Sequence, residues 1–338
     1  MSGPQLTRRE VALAALAAAG IGGVAWRWWD EQATLAAFDP ELRAFVRSTL
    51  DHPPPDLTAA NLTMFRRIEA SGAPPPLPGP AATRMKVSGV EIEVINARRG
   101  GNRPAIFYLH GGGFVMGNAS GAVRQLQQLC TALDCVAVAV DYRLAPETGH
   151  AAMLGDCGAA LRWVHDQAAT IGVDPARIAI MGASAGGALA TLLAMRARDE
   201  GVVKPCLQFL LYPMLDDRTI TDPPAIPSLW SAANNRFGWA SFLGEAPSAG
   251  AVPARRVDVA SLPPSYIAVG SCDLFLDEDV RFARRLRDAG VPTQIDIIPG
   301  AFHGFDRAVP QSGVARRFRA RTTEILARAF AAPAHTNH

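Results

Sequence analysis

The chain has 338 residues, with 33 basic and 31 acidic side chains and a net charge of +2. That length accommodates one large α/β domain with appended or inserted cap material. The balanced charge, with no basic stripe interleaved with aromatics, gives no footprint of a nucleic-acid binder. Five cysteines (Cys130, Cys135, Cys157, Cys206, Cys272) make an odd number without a C-x-x-C pair, which argues against a disulfide framework or a cysteine metal site. Cys130, Cys135 and Cys157 fall in apolar stretches and read as small core residues.

Residues 1–30 differ from the rest. Thr7-Arg8-Arg9-Glu10 precedes an apolar run of 16 residues, Val11 to Trp26. A basic start followed by an Ala/Gly-rich run resembles a secretory signal, and the paired arginines suggest the twin-arginine type. As a helix the run spans roughly 24 Å, short of a bilayer core of about 30 Å. Membrane anchoring through residues 11–26 would therefore set the flanking tryptophans in the interface. The expectation is export or anchoring rather than a cytoplasmic location; the bland alternative is an amphiphilic helix packed on the body.

Residues 39–72 read as two amphipathic helices, Pro40 to Leu50 and Leu57 to Ala70, broken by His52-Pro53-Pro54-Pro55. Ala73 to Pro80 is a linker stiffened by prolines. Val87 to Val94 alternates as a half-exposed strand does. Short apolar runs follow at Ala105–Leu109, Val136–Val140, Ile178–Met181, Gln208–Leu211, Tyr266–Val269 and Gln294–Ile298. Helical stretches separate most of them, for example Ala122–Leu133, Ala159–Ile171 and Asp279–Ala289. Strands alternating with helices predict an α/β fold with a mostly parallel sheet covered on both faces. The sheet region is 81–212 and 265–332. Between them, 213–264 is rich in Pro, Ser and aromatics and reads as cap material.

Three stretches carry chemistry. Gly182-Ala183-Ser184-Ala185-Gly186 lies between the run Ile178–Met181 and the helical Ala188–Met195, the strand–turn–helix context of a nucleophile elbow. Its bland reading is a close-packed turn. Leu109-His110-Gly111-Gly112-Gly113-Phe114 follows a buried strand, and three successive glycines cost conformational entropy that some structural need must offset. Such a loop can aim backbone N–H groups at one point, an oxyanion hole. His110 reads as structural, its ring tied into the loop's hydrogen bonds. Asp273 and His303 each follow a strand end, where ligands bind in open α/β sheets. The order Ser184, Asp273, His303 is that of the α/β-hydrolase triad. Asp277 and Glu278 read as helix-start acids favoured by the dipole, and His150 as structural.

Taken together, His110-Gly111-Gly112-Gly113-Phe114, Asp141-Tyr142-Arg143-Leu144-Ala145-Pro146-Glu147, Gly182 to Gly187, Asp273 with Asp277-Glu278, and His303-Gly304-Phe305 resemble the hormone-sensitive-lipase-like family of α/β-hydrolases, in its bacterial carboxylesterase branch. The likeness runs from about Asp39 to Phe330. It implies an eight-stranded sheet, a helical cap, no cofactor, no metal and hydrolysis of small-molecule esters. It assigns Ser184 as nucleophile, His303 as general base and acid, Asp273 as its orienting carboxylate, and the N–H groups of Gly112, Gly113 and Ala185 as the oxyanion hole. Arg143 and Glu147 are expected to pair beneath the loops. Phe114, Trp230, Phe237, Trp239 and Phe242 are candidates for an apolar pocket favouring short to medium acyl chains, or for cap core. The sequence departs from the family at Ala183, where an acidic residue is usual, at Thr148-Gly149-His150-Ala151 in place of His-Pro-x-Pro, and at Leu274 in place of proline. A small-ligand receptor on the same fold and an amidase or peptidase with the same triad are the alternatives. A homodimer through a sheet edge or the last helix is a further expectation.

Overall fold

A computed structural model describes residues 32–219, 230–245 and 249–332. The expectations for residues 1–30 and for part of 213–264 lie outside the described residues. Among those described, no helix is long and apolar enough to cross a membrane.

Among the described residues, the helices α1 (Arg43–Asp51) and α2 (Leu62–Ser71) precede the sheet, and strands and helices then alternate. The strands are β1 (Ala82–Val87), β2 (Val90–Ile95), β3 (Arg103–Leu109), β4 (Val136–Asp141), β5 (Val173–Ala183), β6 (Leu207–Leu211), β7 (Ser265–Gly270) and β8 (Thr293–Ile298). Between and after them come α3 (Val123–Leu133), α4 (His150–Asp166), α5 (Ala168–Ile171), α6 (Ala185–Glu200), α7 (Ala232–Leu243), α8 (Leu276–Asp288), α9 (Phe305–Ala308) and α10 (Gly313–Ala331). The described strands form one sheet in the order β1-β2-β4-β3-β5-β6-β7-β8. β2 is antiparallel to both β1 and β4, and the remaining neighbours are parallel.

Side-chain alternation along each central strand divides the interior into two layers. Phe107 and Leu109, Val138 and Val140, and Ile178 and Ile180 point into one core with α4, α6 and α8. Ile106 and Tyr108, Ala137 and Ala139, and Ala179 and Met181 point into the other with α1, α3 and α10. Because both faces are covered, β3 and β7 are buried at every residue, which is why these runs read as continuously apolar. Cys130, Cys135 and Cys157 are buried and unbridged.

Several element boundaries differ from the sequence reading, and two of the differences have a clear physical reason. The stretch Val87–Val94 is not one strand but the junction of β1 and β2, turned at Ser88 and Gly89 with φ of 50° and 86°. Two successive left-handed residues are what a tight hairpin of the right twist requires. The helix expected from Ala159 starts earlier, at His150, and breaks at Gln167. Gly155 and Gly158 lower helix propensity there, and packing overrides them: a Cβ on Gly158 would meet the Arg196 guanidinium at 2.9 Å.

Candidate active site

Ser184 sits between the end of β5 and the start of α6 with φ 54° and ψ −121°, a conformation costly for a side-chain-bearing residue. The surroundings hold it there. Its N–H donates to the Leu211 carbonyl at 2.9 Å, and its carbonyl accepts from Gly187 at 2.8 Å and Met214 at 3.0 Å. The glycines on either side are sterically required: a Cβ on Gly182 would stand 2.1 Å from the Gly186 carbonyl oxygen, and one on Gly186 2.1 Å from that of Leu109.

β7 and β8 are parallel neighbours, so the loops after them deliver Asp273 and His303 to the same end of the sheet. His303 Nε2 lies 3.0 Å from Ser184 Oγ. His303 Nδ1 lies 3.0 and 3.2 Å from the two Asp273 oxygens. A carboxylate can only accept, so Nδ1 carries the proton and Nε2 presents its lone pair to the serine hydroxyl. Asp273 is fixed in turn by the Phe275 N–H, 2.9 Å from Oδ1. Edge-on contacts from Tyr212 and Phe275, with ring centroids at 4.9 and 5.0 Å, confine the imidazole. Ser184, His303 and Asp273 are 6, 8 and 3 % exposed, so water weakens these bonds little.

The glycine loop leaves β3 beside the serine. Gly112, Gly113 and Phe114 all have positive φ, at 118°, 59° and 67°. A Cβ on Gly112 would collide with the Met116 carbonyl at 2.1 Å, because Val115 and Met116 N–H groups fold back onto the Gly112 oxygen. Among the described residues, none accepts from the N–H of Gly112, Gly113 or Ala185. His110 does not face the serine–histidine pair. Its ring stacks on Tyr142 at 4.1 Å, and Nδ1 bonds the Gly111 carbonyl at 2.8 Å.

Beside this loop the aromatics converge. Phe114 stacks on Phe242 with centroids 4.0 Å apart and leans on Trp239 at 5.0 Å. Trp230 is buried against Gly113, and Phe237 is partly buried on the same core.

The expected Arg143–Glu147 pair does not form. Arg143 instead grips Asp156 on α4 with bonds of 2.8 and 2.7 Å, while Glu147 takes a two-pronged bond from Arg66 on α2. Arg66 also donates to the Val115 and Ala145 carbonyls, each at 2.7 Å. It bolts α2 to the glycine loop, and Arg66 beside Glu147 holds that carboxyl down to about 2. Glu278 lies in the first turn of α8, as a dipole-favoured acid would. Yet it is buried and accepts from the N–H groups of Leu215 and Asp216 and from the Thr219 hydroxyl, so it secures the chain leaving β6. Arg66 carried no sequence signal and Glu278 only that of a helix-start acid, because the partners of each lie far along the chain.

Residues 106–307 match the model of a family described as alpha/beta hydrolase fold. The chain is 37 % identical over 209 residues to "Esterase LipI" of Mycobacterium tuberculosis, covering 60 % of this chain and 65 % of that one. It is 33 % identical over 221 residues to "Ethyl acetate hydrolase" of Pseudomonas putida, covering 60 % of this chain and 66 % of that one. The match thus spans slightly less than two thirds of the length of either relative. Among solved structures, it resembles a "Bacterial Heroin Esterase" at 32 % identity and a TM-score of 0.81, over 88 % of this chain and 100 % of that one. It resembles esterase LipW of Mycobacterium marinum at 34 % identity and a TM-score of 0.78, over 88 % of this chain and 98 % of that one.

Proposed function

We propose that this chain, which belongs to the hormone-sensitive-lipase-like family of α/β-hydrolases, is a serine carboxylesterase acting on short- to medium-chain esters. The observation that carries the reading is the unbroken line from Ser184 Oγ through the His303 ring to Asp273, with the Gly112, Gly113 and Ala185 amides beside it. Ser184 attacks the ester carbonyl and His303 Nε2 takes its proton, while Asp273 keeps the imidazole in the productive tautomer and steadies the imidazolium. The carbonyl oxygen, now charged, is held by the three backbone donors, each typically contributing about 2.7–4 kcal/mol in the transition state. His303 then protonates the leaving alcohol and draws a proton from water, which hydrolyses the acyl-enzyme. A backbone donor set that is already fixed by the Gly112 turn costs no reorganisation when charge develops.

Residues 39–72 and the described parts of 213–264 form the cap over this end of the sheet. The aromatics Phe114, Trp230, Phe237, Trp239 and Phe242 wall the acyl side, and the close packing of Phe114 on Phe242 and Trp239 favours compact acyl groups. A relative named for ethyl acetate hydrolysis supports the same substrate class. The paired His303 and Ser184 weigh against a receptor that has dispensed with chemistry. The test is hydrolysis of p-nitrophenyl esters from C2 to C16 by wild type and Ser184→Ala. Serine-dependent turnover greatest at short or medium chains is expected; a folded wild type without turnover at any length would overturn the reading.

A further inference from the structure

A cavity of about 50 Å³ lies between α2, the start of the glycine loop and α9, lined in part by Glu69, Tyr108, His110, Gly111, Gly117 and Arg307. Two buried atoms of its lining residues have no partner among the described residues: His110 Nε2 and Glu69 Oε2. His110 is 3 % exposed. Its Nδ1 faces the Gly111 carbonyl at 2.8 Å, and a carbonyl only accepts, so Nδ1 bears the proton and Nε2 is a bare lone pair. Burial holds the ring's pKa down to about 4, which keeps it neutral near pH 7. On Glu69, burial raises the carboxyl while the Arg307 charge and a bond from the Gly117 N–H oppose the rise; the guanidinium stands 3.9 Å from its other oxygen, Oε1.

The carboxyl as a whole thus has donors beside it, but His110 Nε2 and Glu69 Oε2, both on residues lining this cavity, have no hydrogen-bond partner of their own among the described residues. An occupant must bring two hydrogens. Water does so without adding charge, and the volume exceeds the roughly 10–15 Å³ that one water needs. We propose that a water molecule resides in this cavity, donating to His110 Nε2 and to Glu69 Oε2, and that Glu69 is thereby a positioning residue for the glycine loop. The consequence for the loop follows from how tightly His110 is built into it. The Tyr142 hydroxyl donates to the His110 carbonyl at 2.6 Å, and a Cβ on Gly117 would lie 2.4 Å from His110 Nδ1. Any tilt of the ring must therefore move Gly111 and the amides that follow it. Arg66 fixes α2 to the far side of the same loop, one turn before Glu69, so the water closes a second strut between helix and loop.

The link to catalysis rests on the esterase reading, and the water does not. The first measurement is diffraction from the wild-type protein at a resolution that shows ordered solvent. A water within about 3.2 Å of both atoms is expected, and a dry cavity, or a protein donor on His110 Nε2, overturns the proposal whether or not the protein turns over an ester. The second is p-nitrophenyl acetate kinetics on Glu69→Met and Glu69→Gln. Methionine removes the acceptor and should lower kcat by about tenfold with KM nearly unchanged, the loss of a bond made through water. Glutamine keeps an acceptor and should restore kcat to within about twofold. Wild-type kcat in Glu69→Met, or a loss in Glu69→Gln equal to that in Glu69→Met, overturns the positioning role. An inactive wild type with the water in place would instead count against the esterase alone.

Discussion

Gly113 and Trp230 are packed so closely that a Cβ on the glycine would stand 2.0 Å from Cη2 and 2.3 Å from Cζ2 of the indole. Gly238 on α7 is pressed against the same loop, its own Cβ position 2.6 Å from the Gly113 carbonyl oxygen. The glycine loop is thus clamped between the sheet below and Trp230 and α7 above. Gly113→Ala cannot be absorbed by a rotamer change, since φ there is 59° and the obstacle is a buried ring. The loop must lift, which displaces one N–H donor. Losing such a donor lowers kcat by about 10²–10³, and that range is the expectation here with KM for p-nitrophenyl acetate nearly unchanged. Steady-state kinetics beside a melting curve separates this from simple unfolding; undiminished kcat would mean that the Gly113 amide does not hold the oxyanion.

Replacing Asp273 by asparagine tests the other end of the line. Asparagine keeps the shape and can still accept from the Phe275 N–H. It can also turn its NH₂ towards His303 Nδ1, which then becomes an acceptor and puts the proton on Nε2, facing Ser184. The serine loses its base. A fall in kcat of about 10⁴ is expected at neutral pH, and a decrease of under tenfold, measured with p-nitrophenyl butyrate, would remove Asp273 from its assigned role.

What was legible in the chain was local. Ser184, Asp273 and His303 each announce themselves by a strand before and small or loop residues around, and their order completes the pattern. The layered sheet was legible for the same reason, since each strand's apolar run is its own evidence. The β1–β2 hairpin is not legible because Val90, Ile92 and Val94 alternate so regularly that Val87, three residues before Val90 and out of phase with it, reads as their continuation across Ser88-Gly89. Partners set by tertiary packing were not legible at all. Arg143 has Glu147 and Asp156 both within reach along the sequence, and only the approach of α4 selects Asp156. Glu69 and Arg66 look like the polar face of an amphipathic helix until that helix is seen to lie on the glycine loop.

That choice of partner can be measured. In a double-mutant cycle on unfolding free energy, Arg143→Ala and Asp156→Ala should couple, because the bond is two-pronged and Asp156 is buried. The coupling should be favourable and resolvable from zero, although the exposed guanidinium leaves it partly screened by water. Arg143→Ala with Glu147→Ala should be additive within the error of the measurement. The reverse result would restore the pairing that the sequence suggested.

Arg66→Ala should cost more stability than Glu147→Gln. Glutamine disturbs one exposed ion pair, for which about 0–1 kcal/mol is typical. Alanine at 66 removes that pair and also the donors to the Val115 and Ala145 carbonyls, both in the core beside the glycine loop. A loss of about 2–3 kcal/mol is expected from these charge-assisted bonds. If thermal or urea unfolding finds the two variants equally stable, α2 is not bolted to the loop as described.

Glu278 sets a pH dependence whose sign is opposite to that of an exposed ion pair. Burial pushes its carboxyl up from 4.5 to about 8, against the hydrogen bonds it accepts from Thr219, Leu215 and Asp216. The folded state therefore holds a proton that the unfolded chain releases above about pH 4.5. Stability from this group is full below that pH and is lost as pH rises towards about 8, with a slope of at most about 1.4 kcal/mol per pH unit for one proton. Asp279 is buried next to it, with neither carboxyl oxygen bonded among the described residues, and its pKa is raised by burial first and then by Glu278 and Asp273. Its contribution has the same sign. Urea unfolding of wild type at half-unit steps from pH 5 to 9 should show stability falling across that range. Glu278→Gln should flatten the curve without abolishing it, because the amide mimics the protonated acid and Asp279 remains. Glu278→Gln with Asp279→Asn should flatten it further. A wild-type curve level from pH 5 to 8 would mean that the backbone donors at Leu215 and Asp216 hold Glu278 ionised, and Glu278→Gln should then destabilise the fold by about 1–3 kcal/mol at pH 7.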